Sequence, residues 1–454
     1  MALIDLKDAK ISDPKRFVSE NWIRLLAVLG LISGALKVYK TIANYLHLGP
    51  QDQPDFNLYY FAFDTVLHRP YDIAQLYDHA YLQTQLHALG VSESFVQASF
   101  FGYPPQFAVF FAPLAYLGLQ PAKLVWLSVS AVMLFVSMVM LVRLCFGDQR
   151  GGRGNSPYTL MLALAALSAP LYMEFQFGQS NCLLLFLLTA SFFLKYEKRS
   201  SWLAGVPLGI AIAFKITPVL IPVFYLLRRD WRLGVSSFIV VLLGTLGTAY
   251  VTGWQLLLRY PFEYLPELTR LCLLNGPAPW NSAFRGALER IAIDLHAPLS
   301  AAVLSGSETV YRLAVLAAVA MLTLHSAENR RRDMSLAALL PLMLSPVIER
   351  HHVVLAFIPL AATVATICAR RTTRSQGAGG TQPVAQSMQD DERRSLAKAT
   401  VLVAATLVIF AANPIWISYT IAIPLLLGAV LYASRAPHPV GAATWLEARR
   451  SSGA

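Results

Sequence analysis

Apolar stretches recur along nearly the whole chain, and short clusters of Lys and Arg stand between them. A helix that crosses a bilayer needs about 20 predominantly apolar residues. In hydrocarbon only helices or closed barrels satisfy every backbone N–H and C=O. Such stretches lie near 22–39, 122–146, 158–175, 181–194, 202–214, 217–227, 234–251, 301–324, 336–347, 353–368, 399–412 and 415–432. The pattern predicts an all-α fold, a polytopic integral membrane helical bundle. Composition agrees, because 56% of the 454 residues are hydrophobic and 14% are charged, against roughly a quarter charged in soluble domains. The formal net charge of +11 does not point to nucleic acid. Its basic residues form short clusters between apolar runs, with no basic stripe interleaved with aromatics.

Those clusters set an orientation, since cytoplasmic loops carry an excess of Lys and Arg. Lys7, Lys10, Lys15 and Arg16 place the N-terminus in the cytoplasm. Inside loops follow at Arg143–Arg153, Lys195–Arg199, Arg228–Arg232, Arg330–Arg332 and Arg370–Arg374. All fall on one side if each of the dozen stretches crosses once and the Pro-punctuated run 104–119 dips in and returns. The resulting expectation is a multi-pass protein of the inner (plasma) membrane, both termini cytoplasmic. Two outer loops, 43–103 and 252–299, carry helical apolar spacing with aromatics such as Phe56, Tyr59, Tyr60 and Phe63, which predicts helices lying in the interface. The chain divides into a catalytic membrane module over 1–370, a Gly/Ser/Gln-rich linker over 371–397, a helix pair over 398–434 and a tail over 435–454. Some twenty mixed-charge residues precede the first apolar run, with no small-residue cleavage site after it, so that run is expected to stay as an anchor. Cys145, Cys182, Cys272 and Cys368 have neither metal nor disulfide spacing and are expected to pack.

Ionisable groups near membrane depth are functional candidates by default, and here they gather on the outer side. Asp55 opens the first outer loop; Glu174-Phe175-Gln176-Phe177-Gly178-Gln179-Ser180-Asn181 forms an outer turn. Lys215 interrupts an apolar run before Thr217-Pro218. Trp280-Asn281-Ser282-Ala283-Phe284-Arg285 closes the second loop, and Glu349-Arg350-His351-His352 joins two spans. Each has an ordinary explanation as well. Asp55 could cap a helix starting at Phe56, Lys215 could snorkel to the headgroups, and Gln179 and Asn181 could satisfy backbone at a helix break.

At these residues the chain resembles the polytopic glycosyltransferases of family 87. The resemblance rests on Asp55-Phe56-x-x-Tyr59-Tyr60, Pro70-Tyr71-Asp72, Leu76-Tyr77, Tyr103-Pro104-Pro105, Gly178-Gln179-x-Asn181, Ala204-Gly205 leading to Lys215-x-x-Pro218, Asn281-Ser282 with Arg285-Gly286, and Ser345-Pro346 ahead of His351-His352. It runs from about Asp55 to Leu360. Ser180 and Glu349 depart from the pattern, where Val and an aromatic are commoner. The resemblance implies a multi-span GT-C architecture and an inverting transfer of one sugar, with mannose the best-known, from a polyprenyl-phosphate donor to a lipid or glycan acceptor. It implies Asp55 as general base. The donor phosphate would fall to Lys215, Arg285, Arg350, His351 and His352, and Tyr59, Tyr60, Tyr103, Gln179, Asn181 and Asn281 would bind substrate. No metal and no cofactor are expected, and the partners are the two substrates and membrane lipids. A transporter or lipid-carrier flippase shares the apolar bundle, but it would carry charges near the midplane of several spans. A GT-C-like ligase would take a diphosphate-linked glycan instead.

Overall fold

The computed structural model describes residues 54–88, 99–147, 168–274, 281–324, 326–376, 394–407 and 418–434, with isolated positions between. The stretch near 22–39, all but Ile32 and Leu36, and the tail over 435–454 lie outside them. Every described element is a helix: α1 (Pro54–His68), α2 (His79–Ala88), α3 (Pro105–Phe111), α4 (Leu119–Phe146), α5 (Ala169–Phe177), α6 (Asn181–Tyr196), α7 (Ser201–Phe214), α8 (Leu220–Leu227) and α9 (Trp231–Thr252). There follow α10 (Trp254–Arg259), α11 (Leu265–Leu274), α12 (Phe284–Asp294), α13 (Ala301–Leu324), α14 (Arg330–Leu344), α15 (Phe357–Gln376), α16 (394–407) and α17 (Ser418–Ser434). Short 3-10 segments precede α4 (Ala112–Leu117), α8 (Thr217–Val219) and α15 (Arg350–Ala356).

Among the described residues four helices are long and apolar enough to cross a membrane: α4, α9, α13 and the run Arg350–Ala369. The first three turn large apolar side chains outward, as a lipid-facing helix must: Phe135, Phe238 and Val310 are 63%, 66% and 68% exposed. Arg350–Ala369 is instead the buried centre of the bundle, packed by α4 and α14. The chain is an all-α multi-pass membrane protein. The run 104–119 folds as α3 with its 3-10 extension, a length of 13 residues. At about 1.5 Å per residue it is too short to cross alone.

Close packing in the centre has a sequence cause. Gly205 and Gly209, one turn apart on α7, face α9; a Cβ there would stand 2.5 Å from Ser236 Cβ and 2.6 Å from the Ser237 carbonyl oxygen. This is the small-residue spacing that lets membrane helices approach closely. Three features differ from the sequence expectation. Arg330–Arg332 belong to the first turn of α14 rather than a loop, because the Asn329 side chain accepts from the Arg332 N–H at 3.0 Å and caps the helix. α15 runs on to Gln376, past the boundary read at 370. And α13, expected as an apolar stretch, carries a charged pair within its length, Glu308 and Arg312 at 2.6 Å.

Both segments expected to be outer loops contain helices, α1 and α2 in the first and α10–α12 in the second. Trp254, Leu258 and Phe262 of the second loop are 57–80% exposed, an apolar surface of the kind that lies at a bilayer interface.

Candidate active site

Three chain breaks converge to build the site, and prolines or glycine cause each of them. Gly178 ends α5 in the left-handed conformation (φ 70°), which glycine adopts without steric cost. The chain then reverses, α5 and α6 meeting at 119°. Trp126 of α4 clamps this turn by donating its indole N–H to the Gly178 carbonyl at 2.9 Å. α7 ends at Lys215, whose backbone is extended, because Pro218 has no N–H for the Phe214 carbonyl. α14 ends at Ser345, held extended (φ −66°, ψ 136°) by the following Pro346.

Asp55 is the second residue of α1, inside the helix rather than at its cap. Its Oδ2 accepts from Gln179 Nε2 at 2.5 Å. A carboxylate only accepts, so the Gln179 NH2 faces Asp55, while Gln179 Oε1 accepts from the Tyr59 hydroxyl at 2.8 Å and from the Tyr103 hydroxyl at 3.3 Å. The two phenols also bond each other at 2.6 Å, and Tyr103 bonds Ser180 Oγ at 3.0 Å. Tyr59 and Tyr103 are buried and hold the amide that holds Asp55. Burial, with Glu349 and Glu174 nearby, pushes the Asp55 carboxyl up to about 8.

Lys215 lies across the same site. Its Nζ donates to Asn181 Oδ1 at 3.3 Å and stands 5.6 Å above the Tyr103 ring. Burial pushes its ammonium down to about 8, with Glu174, Glu349 and Asp55 acting against that shift. Lys215 opens onto a cavity lined by Asn181, Thr217, Ser345 and His352 with apolar walls at Leu184 and Leu342. Of the two histidines it is His352 that lines this cavity. The Glu349 N–H donates to His352 Nδ1 at 3.1 Å within a capping box, so Nε2–H is the group that His352 can offer. His351 is buried behind, its Nε2 3.6 Å from the Glu349 carboxylate and without a hydrogen bond among the described residues.

The other candidates are placed differently. Asn281 Oδ1 accepts from the Ile348 and Ala283 N–H groups at 3.2 and 2.9 Å, and Ser282 N–H donates to the Ile348 carbonyl at 2.7 Å. Asn281 therefore staples the second outer loop to the segment carrying the histidines. Arg285 turns to α13, bonding Ser305 at 3.0 Å and standing 3.5 Å from Glu308. Tyr60 donates to the Ala115 carbonyl at 3.3 Å and ties α1 to the 3-10 segment before α4. Arg350 is half-buried and makes no bond among the described residues. Of the other first-loop acids, Asp64 pairs with His68, Asp78 accepts from the Tyr81 N–H, and Asp72 stands in the first turn of Pro70–Tyr77.

Glu174, the one carboxylate in the turn 174–181, has no role in the family pattern. It is buried, and its two oxygens accept from Asn181 Nδ2 at 2.9 Å and the Cys182 N–H at 2.7 Å. Lys123, fully buried one turn into α4, was also passed over; a charge so placed in an apolar helix was the available signal.

This is a membrane bundle with a recessed site that combines a fixed carboxylate, a lysine and neutral amides. Residues 100–346 match the model of glycosyltransferase family 87, and the chain belongs to that family. The matched residues include Tyr103, Gln179, Asn181, Lys215, Asn281 and Arg285; Asp55, Arg350, His351 and His352 fall outside them. The chain is similar to a polyprenol-phosphate-mannose-dependent alpha-(1-2)-phosphatidylinositol mannoside mannosyltransferase of Mycolicibacterium smegmatis, 32% identical over 60% of this chain and 63% of that protein. It is also similar to a polyprenol-phosphate-mannose-dependent alpha-(1-2)-phosphatidylinositol pentamannoside mannosyltransferase of Mycobacterium tuberculosis, 30% identical over 56% of this chain and 55% of that protein. The chain thus spans less than two thirds of the length of these curated relatives. No solved structure matches it.

Proposed function

We propose that this chain is an inverting glycosyltransferase that moves one sugar, mannose, from a polyprenyl-phosphate donor to a lipid-linked acceptor at the outer face of the membrane. The reading is carried by one observation: Asp55 and Lys215, a base and a cation, are each fixed by a neutral amide of the same outer turn. Membership of family 87 and the donors named for the two relatives support the substrate class. The outer face is favoured because the site lies at the ends of α6, α7 and α14 opposite their basic clusters.

In this mechanism an acceptor hydroxyl attacks the anomeric carbon from the face opposite the phosphate. As the new C–O bond forms, its proton passes to Asp55, and the bond from the anomeric carbon to the phosphate oxygen breaks. Polyprenyl phosphate leaves carrying the electron pair. A raised carboxyl pKa makes Asp55 a stronger base than a solvated carboxylate. Lys215 and the His352 Nε2–H supply positive charge and a donor for the leaving phosphate, whose charge grows as the bond breaks. Half-buried Arg350, beside the histidines, is a further cation on this side. Gln179 keeps Asp55 aimed, with Tyr59 and Tyr103 behind it.

Asp55→Asn tests the reading. Asparagine still accepts from Gln179 Nε2 and keeps the shape of the helix start, but it cannot take a proton. The expected result is unchanged folded protein with turnover of radiolabelled polyprenyl-phosphate mannose down about a hundredfold or more. Near-normal release of polyprenyl phosphate from the variant would remove Asp55 from the base role.

A further inference from the structure

The Glu174 carboxylate sits at a junction that the mechanism above does not use. It takes the Cys182 N–H in the first turn of α6 with one oxygen and the Asn181 side-chain amide with the other. A carboxylate can only accept, so Asn181 must turn its NH2 toward Glu174 and its carbonyl oxygen the other way. That oxygen meets the Lys215 ammonium. The direction of hydrogen bonding along Lys215, Asn181 and Glu174 is therefore set at the Glu174 end.

Resting on the proposed transferase reading, we infer that Glu174 is a positioning residue for sugar transfer: it fixes the polarity of the Asn181 amide and thereby holds Lys215 toward the donor phosphate. A simpler role exists, because a carboxylate accepting an N–H in the first helical turn also stabilises the start of α6. The two roles separate chemically. In Glu174→Gln the new carbonyl oxygen still accepts from the Cys182 N–H, so the cap survives. The new NH2, however, faces the Asn181 NH2. Asn181 must then flip, and it presents an NH2 to the ammonium of Lys215. Replacing Asn181 by Asp in the same chain restores an acceptor on both sides, since an aspartate takes the NH2 of the new glutamine with one oxygen and Lys215 with the other. It also returns the lost negative charge to this junction.

The experiment compares wild type, Glu174→Gln, Asn181→Asp and Glu174→Gln/Asn181→Asp as purified full-length proteins with polyprenyl-phosphate mannose. Glu174→Gln is expected to lose about tenfold or more in kcat/KM for the donor, the scale of one charged hydrogen bond. Asn181→Asp places two carboxylates side by side and should lose similarly. The double variant should recover to within about threefold of wild type, a positive coupling that a mere cap does not give. A second readout needs no turnover: the pH dependence of Lys215 acetylation by acetic anhydride, followed by peptide mass spectrometry. Glu174→Gln should shift Lys215 reactivity to lower pH, because the ammonium has lost an acceptor and a nearby negative charge, and the double variant should shift it back. Wild-type kinetics and labelling in Glu174→Gln would overturn the inference. So would a double variant no better than the single ones, or the loss of folded protein in both Glu174→Gln and the double variant. A wild type that labels as expected but leaves the donor untouched would count against the transferase reading and not against the Glu174–Asn181–Lys215 relation.

Discussion

The helices α6, α7 and α14 each connect two clusters of charge, and the clusters are built on opposite principles. At the basic end Lys195, Arg228, Arg330, Arg331 and Arg332 have each found an acid or a carbonyl. Lys195 pairs with Asp230, which also accepts from Ser201 Oγ at 2.7 Å. Arg228 reaches Asp333 at 2.7 Å and the carbonyls of Thr323 and Ser326 at 2.6 and 2.7 Å, while Arg330 reaches Glu197 at 2.9 Å. Some 20–25 Å away, at 1.5 Å per residue, the other end holds Asp55, Glu174 and Glu349 around Lys215. Neither Asp55 nor Lys215 forms an ion pair among the described residues; each meets a neutral amide. Closed pairs have spent their electrostatics on folding. Charges kept apart by amides remain available to a ligand, and displaced pKa values in a cleft are the expected signature of such a site.

The contrast is broken most sharply by removing one charge from each end. Asp333 is fully buried and answers both Arg228 and Arg332, so Asp333→Ala leaves buried cations unpaired. A destabilisation of about 3–5 kcal/mol is expected, read as a lowered unfolding temperature in detergent, with turnover per folded molecule retained. Lys215→Ala should do the reverse. Folding should hold, since its bonding partner is a single amide at 3.3 Å, while turnover falls roughly a hundredfold through the lost phosphate contact. Should both variants lose stability alone, the two ends would be structural alike.

Acidity sharpens the contrast further. As base, Asp55 must be ionised, so kcat/KM rises with pH until the carboxyl titrates at about 8. Lys215 must be protonated, so the rate falls above its own value of about 8. The two groups face one site and titrate as a coupled pair, which gives a narrow bell with its maximum near pH 8. In Lys215→Arg the cation no longer titrates below pH 12, and the alkaline limb should vanish while the acid limb stays. An alkaline limb unchanged in that variant would assign it to another group. No such profile is expected from the basic end, where Lys195 and Ser201 draw the Asp230 carboxyl below its usual range despite partial burial.

How far this was legible in the sequence follows the same division. The apolar helices were readable because hydropathy is a local property: the stretch read as 301–324 is α13, and those read at 181–194 and 202–214 are α6 and α7 within two residues. The gathering of Asp55, Gln179, Asn181 and Lys215 on one side follows from the topology that the basic clusters set, and their expected roles from the family resemblance. What stayed hidden was pairing across helices. Nothing local to Arg285, expected to meet the phosphate, shows that Ser305 and Glu308 stand opposite it on α13. Nothing local to Asn281, expected to bind substrate, shows that its Oδ1 accepts from the Ile348 N–H, 67 residues on. The bonding of Glu174 depends on which way the Asn181 amide points, and no residue pattern encodes that.

The smallest expected effect tests where the open cluster stops. Tyr59 and Tyr60 are neighbours in sequence, yet on a helix they point about 100° apart, and only Tyr59 reaches Gln179. The Tyr60 hydroxyl makes a 3.3 Å bond to the Ala115 carbonyl, at the long end for an O–H donor. Its ring packs against the apolar core from a partly buried position. Tyr60→Phe keeps that ring and deletes a weak bond, so stability should fall by no more than about 1 kcal/mol and kcat/KM should move less than about threefold. Tyr59→Phe removes one of the two phenols holding the Gln179 amide and should cost more, with kcat falling and donor KM steady, because the loss concerns the aim of the base. Equal kinetics in the two variants would mean that Gln179 is held well enough by Tyr103 alone. A loss in Tyr60→Phe as large as in Tyr59→Phe would extend the open cluster to the outer surface of α1, and Tyr60 would return to the substrate contacts that its place in the motif suggested.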